Sequence, residues 1–223
     1  MTDAHCHVTS GETRHLLCAP LACEPQKNDA VFFGTHPWYL DGFDAEALRR
    51  NLSADPHAGV GEIGLDRLKD RTISPRMREI FETQLKIAAE FHRPVVLHGA
   101  KCWGDVVHTI QKLIPQSSQL IPSFLFHGFS RSDGLILDIV ALNGYISVGP
   151  AILNDHAVNY REMVKKIPME RLLVESDRTP EKAAETPSVR EIAAKLAEIR
   201  GVSLEELGSV LDSNAAAFLS AGI

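Results

Sequence analysis

Two histidines near the start of the chain, His5 and His7, have the residue type and the spacing of a metal-binding pair. Side chains two residues apart on a strand point to the same face, so both imidazoles are presented to one side. Divalent metals bind imidazole nitrogens at about 2.0–2.1 Å. A chain with ten histidines in 223 residues also produces such a pair by chance, so a metal site requires further ligands.

Further ligand-type side chains stand at the ends of later apolar runs. A single buried run that ends in a polar residue is ordinary, but here nearly every run ends in a histidine or a carboxylate. Active sites of α/β barrels lie at the C-terminal ends of their strands, so this regularity favours one metal site over independent strand caps. The residues are His36, Glu62, His98, His127 and Asp177.

The chemistry that this set favours is hydrolysis. Four imidazoles and two carboxylates can hold two divalent ions about 3.5–4 Å apart, bridged by a carboxylate and by water or hydroxide. Such a centre activates water and stabilises the charge that develops on the attacking and leaving oxygens. The identity of the metal stays open, although imidazole ligands suit Zn, Mn, Fe or Co better than Mg.

The elements that must position these side chains alternate regularly. Short apolar runs, several of which resemble fully buried parallel strands, are followed by helical patterns. We therefore predict the α/β class and a (β/α)8 TIM-type barrel, formed by one domain over residues 1–223. The predicted strands are 1–5, 14–19, 30–35, 58–63, 93–97, 121–126, 144–148 and 171–175, and the predicted helices are 44–52, 75–92, 103–113, 132–142, 157–167, 187–199 and 204–217.

The first βα unit is too short for this pattern. A parallel crossover needs about a dozen residues, yet only residues 8–13 separate the first two runs. We therefore expect the first helix to be shortened or missing.

Composition excludes several other classes of protein. No run approaches the ~18 apolar residues of a membrane span, and no signal peptide is recognisable at the start. The net charge of −6 and the dispersed basic residues argue against an extended nucleic-acid footprint, although a DNA end or a small phosphate ester remains compatible. Four cysteines without a Cys-x-x-Cys pair favour a reduced, cytoplasmic setting, with Cys6 as a small buried residue.

Six motifs of the chain resemble the TatD family of metal-dependent hydrolases, which are amidohydrolase-like barrels. The resemblance runs from residue 2 to about residue 180, and residues 214–219 are similar to the family's closing helix. It implies a deoxyribonuclease, often exonucleolytic and Mg²⁺-dependent, that acts on DNA ends or short single strands. The motifs are Asp-Ala-His-Cys-His (3–7), Gly-Thr-His-Pro-Trp (34–38), Gly-Val-Gly-Glu-Ile-Gly-Leu-Asp (59–66), Arg-Pro-Val-Val-Leu-His (93–98), Leu-Phe-His-Gly-Phe-Ser (125–130) and Glu-Ser-Asp (175–177).

The resemblance also implies a metal centre with two divalent ions, for which Mg, Zn and Mn are the candidates. Glu62 would bridge the two ions. The remaining ligands would be His5 and His7 at the first ion, and His98 and His127 at the second.

Two more residues receive roles from the same resemblance. Asp177 would contact the first ion and its water, and a carboxylate within hydrogen-bond reach of that water is a suitable general base. His36 resembles the family's second-layer histidine near the scissile phosphate. The alternative for His36 is a turn residue before Pro37.

Departures from the family pattern concern the substrate. The family places Ser-Arg or Cys-Arg after the fifth-strand histidine, whereas this chain has Gly-Ala followed by Lys101, which lacks the bidentate fork of arginine. Arg178 adds a cation after Asp177, and Arg67 replaces an aromatic residue. Lys101, Arg178 and Trp38 are the predicted substrate contacts, with Trp38 either stacking on a base or lying at the rim.

Two alternative functions remain at this point. An amidohydrolase-like enzyme for a small ester or amide would suit the acidic composition and the lost arginine. A non-catalytic barrel that binds a metal or a partner would suit the short first βα unit. Oligomeric state is not predicted.

Overall fold

Eight parallel strands form one sheet in the computed structural model, which describes residues 1–11, 13–19, 29–114, 122–130 and 132–220. Each strand pairs with the strand that follows it in the chain, which is the order that successive βα units produce. The strands are β1 (Thr2–Cys6), β2 (Arg14–Ala19), β3 (Ala30–Phe33), β4 (Gly59–Asp66), β5 (Val95–Ala100), β6 (Phe124–Phe126), β7 (Gly144–Val148) and β8 (Leu172–Val174).

The first and last strands meet where their C-terminal ends continue into loops. The main-chain N–H of Asp177 donates to the carbonyl of His5 at 3.0 Å, and that of His7 donates to the carbonyl of Arg178 at 2.8 Å. These bonds make the sheet a nearly closed barrel. The predicted (β/α)8 class is confirmed.

Helices follow most strands, and their ends are set by side-chain caps. The Ser74 hydroxyl accepts from Met77 N at 3.1 Å with Pro75 next to it, so α2 begins where sequence indicated. Ser188 and Glu191 form a capping box at the start of α6. In the described part of the chain the helices are α1 (Ala45–Ala54), α2 (Pro75–Glu90), α3 (Trp103–Leu113), α4 (Ile136–Ala141), α5 (Val158–Lys165), α6 (Val189–Arg200) and α7 (Leu204–Ser220).

The C-terminal helix α7 packs against the N-terminal ends of the strands. The ring of Phe218 is stacked on Phe32, with centroids 6.0 Å apart, and meets Tyr145 edge-on at 5.8 Å. The Asn214 amide donates to the carbonyl of Leu172, the first residue of β8, at 2.8 Å. Helix α7 therefore covers the N-terminal end of the barrel. It leaves free the C-terminal ends of the strands, where barrel active sites lie.

Among the described residues between β1 and β2, which are 7–11 and 13, none is helical. The buried imidazole of His15 holds this short crossover: its Nε2 accepts from Ser10 N at 3.1 Å, and its Nδ1 lies 3.1 Å from Asp29 Oδ1. Because Nε2 accepts a main-chain proton, Nδ1 carries the ring proton and donates it to Asp29. The expectation of a shortened or missing first helix is confirmed for these residues.

Replacing His15 with alanine is therefore expected to lower the free energy of unfolding by about 2–4 kcal/mol, because several buried hydrogen bonds and the packing of the ring are lost together. Urea unfolding followed by circular dichroism measures the change. His57→Ala, at an exposed position, is the control and should stay within about 0.5 kcal/mol of the unchanged protein. Equal stability of the two variants would contradict the anchoring role.

Other differences from the sequence-based expectations are local. The predicted helix 132–142 consists of a 3₁₀ turn, Asp133–Leu135, followed by the short α4. Cys6 is fully buried, as expected. Three parts of the sequence-based expectations lie outside the described residues. They are residue 121, which begins the sixth predicted strand, the cysteine Cys23, and part of the short region after β2. None of the described helices combines the length and the apolar character needed to cross a lipid bilayer.

Candidate metal centre

Glu62 lies at the middle of the candidate site, as the fourth of the eight residues of β4, with 4% of its side chain exposed. Its Oε1 atom is 2.7 Å from both His98 Nδ1 and His127 Nε2. Its Oε2 atom is 3.4 Å from His5 Nε2 and 3.3 Å from His7 Nε2. Four predicted ligand imidazoles therefore converge on one buried carboxylate, two on each oxygen.

The barrel explains this convergence. His5 lies in β1, His98 lies in β5, and His127 directly follows β6, where its main-chain N–H donates to the Leu97 carbonyl at 3.3 Å. These positions are far apart in sequence, but parallel strands bring their C-terminal ends to the same end of the barrel.

Asp177 stands beside this cluster after β8. Its Oδ1 atom is 3.5 Å from His5 Nε2 and 4.0 Å from His7 Nε2, and half of its side chain, 49%, is exposed. Burial would raise the pKa of the Asp177 carboxyl, but the nearby imidazoles of His5 and His127 lower it. The group is therefore an ionised carboxylate that solvent can reach. Its φ of 49° is left-handed, a strained conformation for a non-glycine residue that recurs at functional sites.

Charges in the cluster are strongly coupled. Burial would raise the pKa of the Glu62 carboxyl, yet the charges of His127 and His5 lower it well below its ordinary range. Burial would likewise lower the pKa of His127, but the Glu62 charge raises it to about 10. Without a metal, His127 therefore keeps its imidazolium proton at neutral pH, and a divalent cation would displace that proton.

The residues present fit a divalent metal. His5 Nε2 is buried and makes no hydrogen bond within the described residues, which is costly for a ring nitrogen unless a ligand satisfies it. Imidazole nitrogens combined with carboxylate oxygens are a suitable donor set for divalent transition metals. Three groups of side chains have ligand atoms within 4.8 Å of one another: His5, His7 and Asp177; His5, Glu62 and His127; and His36, Glu62 and His98.

Asp66 orients the His98 ring. Its Oδ2 atom is 2.8 Å from His98 Nε2, and its Oδ1 atom accepts from the main-chain N–H groups of Leu68 at 2.7 Å and Lys69 at 3.0 Å. Burial opposes ionisation, but these hydrogen bonds lower the pKa of the Asp66 carboxyl. The carboxylate therefore accepts a hydrogen bond from His98 Nε2–H, and Nδ1 of the same ring faces Glu62.

A second carboxylate, Glu175, lies beside the ring of His127. His127 Nδ1 lies 3.6 Å from Glu175 Oε1, and this carboxylate accepts from Gly128 N at 2.7 Å and from the Ser147 hydroxyl. Sequence reasoning assigned no role to Asp66 or Glu175. The signal was present, since both carboxylates belong to the strand-end motifs at 59–66 and 175–177, but the sequence does not show which carboxylate faces the cluster.

His36 also reaches the cluster. Its Nε2 atom is 3.4 Å from Glu62 Oε1 and 3.3 Å from His98 Nδ1, while its Nδ1 atom accepts from Trp38 N at 3.1 Å. Burial lowers the pKa of His36, so the ring is neutral and Nε2 carries its proton. This tautomer makes His36 a hydrogen-bond donor towards the site, which suits a place beside the ligands better than a place among them.

The predicted substrate contacts differ in their surroundings. Trp38 is 44% exposed, and its ring meets His36 edge-on with centroids 5.0 Å apart. Lys101 is exposed and lines a cleft of about 800 Å³ together with His98 and Asp177. The guanidinium of Arg178, by contrast, donates to the main-chain carbonyls of residues 183 and 186. The structure therefore brings Trp38 and Lys101 to the site and directs the charge of Arg178 elsewhere.

Comparisons with known proteins identify the family. A family model described as TatD related DNase matches residues 15–220. The uncharacterized metal-dependent hydrolase YabD of Bacillus subtilis (strain 168) is 29% identical over 194 residues, which are 82% of this chain and 74% of that protein. The 3'-5' ssDNA/RNA exonuclease TatD of Pantoea vagans is 25% identical over 197 residues, with 82% and 74% covered. The solved structure of YjjV, a TatD homologue from Escherichia coli K12, shares the fold with a TM-score of 0.80 at 24% identity, covering 97% of this chain and 96% of the other. Because the family model matches nearly the whole chain, this protein belongs to the TatD-related DNase family of metal-dependent hydrolases, as its motifs predicted.

Proposed function

We propose that the protein is a two-metal phosphodiesterase that hydrolyses DNA ends or short single strands. The observation that carries the proposal is the arrangement around Glu62, whose two oxygens each face a separate pair of imidazoles. His5 and His7 would hold one ion with Asp177, and His98 and His127 would hold the other, with Glu62 between them. When bound, Mg, Mn or Zn ions would supply a Lewis acid for phosphate oxygens and a nucleophile at neutral pH.

Residues around the ligands would position the substrate. Asp177 is ionised and half exposed, so it can accept a proton from an attacking water that lies within hydrogen-bond reach. His36 Nε2–H can donate to a phosphate oxygen. Trp38, at the rim, can stack on a terminal base, an interaction worth about 1–3 kcal/mol per base. The name of the Pantoea vagans relative supports single-stranded DNA or RNA as the class of substrate.

The test is hydrolysis of end-labelled single-stranded DNA, duplex DNA and single-stranded RNA with Mg²⁺, Mn²⁺ or Zn²⁺ supplied one at a time. We expect metal-dependent release of nucleotides from an end of the single strands, and its loss with EDTA. His127→Ala should abolish release while the protein stays folded, and His108→Ala, at an exposed position on α3, should not. If no nucleotide is released while another ester or amide is cleaved, the nuclease proposal fails.

A small ester or amide is the second candidate substrate. The guanidinium of Arg178 is engaged by main-chain carbonyls, and alanine occupies position 100, where the family pattern has an arginine. Fewer cations for a phosphate chain would suit an uncharged substrate. Turnover of p-nitrophenyl esters in preference to every oligonucleotide would favour this candidate. A fully metal-loaded protein without turnover in either assay would instead favour a non-catalytic barrel.

A further inference from the structure

One wall of the cleft carries two cations that the metal cluster does not use. Arg67 directly follows β4 and Lys101 directly follows β5, and Arg67 N donates to the Ala100 carbonyl at 3.0 Å. The two residues thus continue the register in which Asp66 pairs with Ala100. Both residues line the cleft that borders the metal cluster.

The charge of this wall is incompletely balanced. Arg67 Nη2 is 3.1 Å from Asp105 Oδ2, and the same carboxylate is 3.8 Å from Arg78 Nη2. A single carboxylate therefore orients two guanidinium groups, and one positive charge remains. The ammonium group of Lys101 is exposed and has no ion-pair partner in the part of the chain that the structure describes.

The backbone at Lys101 is unusual. Its φ is 58°, a left-handed conformation that is uncommon for a residue with a long side chain and that recurs at ligand-binding positions. The surrounding cleft has room for a ligand, with a volume of about 800 Å³. Ser130 and Ser132 line the same cleft with hydroxyl groups.

This wall and the metal cluster border the same cleft, which His98, His127 and Asp177 also line. Three residues lead from His98 to Lys101, so their Cα atoms are at most about 10 Å apart. A short ligand at the metal cluster can therefore reach this wall. Arg67 and Lys101 would then contact a phosphate while the neighbouring phosphodiester lies at the metal cluster.

We propose that Arg67 and Lys101 form a subsite for the terminal phosphate of a nucleic-acid end, and that the protein prefers phosphorylated ends to hydroxyl ends. The inference rests on the proposed function for the identity of the polymer. Guanidinium and ammonium groups both bind phosphate, the first as a planar fork and the second as a point charge.

The experiment measures binding of thymidine dinucleotides to the metal-free protein in EDTA by NMR titration. The three probes carry a 5'-terminal phosphate, a 3'-terminal phosphate or no terminal phosphate. We expect one phosphorylated probe to bind about tenfold more tightly than the unphosphorylated one, as one or two charge-assisted hydrogen bonds allow. Which probe it is reports the direction of the strand in the cleft. Arg67→Gln and Lys101→Gln should each reduce this advantage, and the double variant should remove it.

Arg78→Gln is the matched control, because Arg78 shares Asp105 and has an exposed fraction of 40% against 42% for Arg67, but does not line the cleft. This variant should keep the advantage. Equal binding of all three probes, or an equal loss in the Arg78 and Arg67 variants, overturns the inference. Hydrolysis of the same probes by metal-loaded protein is measured separately. A preference for the phosphorylated probe without any hydrolysis would contradict the proposed function but support the phosphate subsite.

Discussion

Replacing Glu62 with glutamine is expected to lower metal-dependent hydrolysis at least about a thousandfold, since loss of metal catalysis removes several kcal/mol of transition-state stabilisation. Glutamine has nearly the same shape, but it is neutral and presents an amide NH₂ group to one pair of imidazoles. Oε1 now meets His98 and His127 at 2.7 Å, and Oε2 meets His5 and His7 at 3.3–3.4 Å. Whichever way the amide turns, it donates to ring nitrogens that would otherwise face a metal.

The fold should survive this substitution. The Glu62 charge raises the pKa of His127 to about 10, so removing the charge lets burial lower that pKa, and the imidazole becomes neutral at pH 7 rather than remaining an unpaired buried cation. Metal content after dialysis, hydrolysis and circular dichroism are measured on the same samples. Glu79→Gln, an exposed carboxylate that pairs with Arg76, is the control. Full metal content and retained activity in the Glu62 variant would refute the central role of this carboxylate.

Most of the barrel could be predicted because buried parallel strands appear as apolar runs. β2, β7 and α3 have the predicted bounds. β4 was predicted to end at residue 63 but continues to Asp66. The sequence pattern stops at Gly64, yet this glycine is required by close packing, since a Cβ there would lie 1.9 Å from the His98 carbonyl oxygen. Such tertiary contacts between neighbouring strands are invisible in a local pattern.

The candidate ligands were predictable for a related reason. Each stands at the end of an apolar run, and the parallel fold converts that one-dimensional position into a shared place at one end of the barrel. The roles of surrounding groups were not predictable, because they depend on side-chain direction. The sequence shows Arg178 as a cation next to Asp177, but its guanidinium donates to the carbonyls of residues 183 and 186.

Tautomers were also beyond the sequence. One hydrogen bond, from the main-chain N–H of Trp38 to Nδ1, decides that Nε2 of His36 carries the ring proton. In His98, the nitrogen that carries the proton is decided by the Asp66 carboxylate, which lies 2.8 Å from Nε2. A histidine at a strand end is therefore a ligand or a donor according to what contacts its other nitrogen.

Asp66→Asn tests this dependence and is expected to weaken metal binding about 10–100-fold. The Leu68 and Lys69 N–H groups both donate to Oδ1, so in the variant they should hold the amide oxygen and turn the NH₂ group towards His98. That NH₂ group would donate to Nε2, so the ring proton would move to Nδ1, the nitrogen that faces Glu62 at 2.7 Å. The ligand lone pair is thereby lost without a change in side-chain size.

Three measurements separate this positioning role from a merely structural one. Metal titration should show the loss of affinity, and excess metal should restore part of the hydrolysis. ¹⁵N NMR of the metal-free protein, at a pH where the His98 ring is neutral, should show its proton on Nδ1 in the variant and on Nε2 in the unchanged protein. Asp70→Asn, an exposed carboxylate in the same loop, should change none of these. If Asp66→Asn loses stability but keeps both its metal affinity and the Nε2-protonated ring, Asp66 only holds the loop. The loss of affinity with the fold intact would instead show that a residue outside the ligand set decides which nitrogen of His98 is offered to the metal.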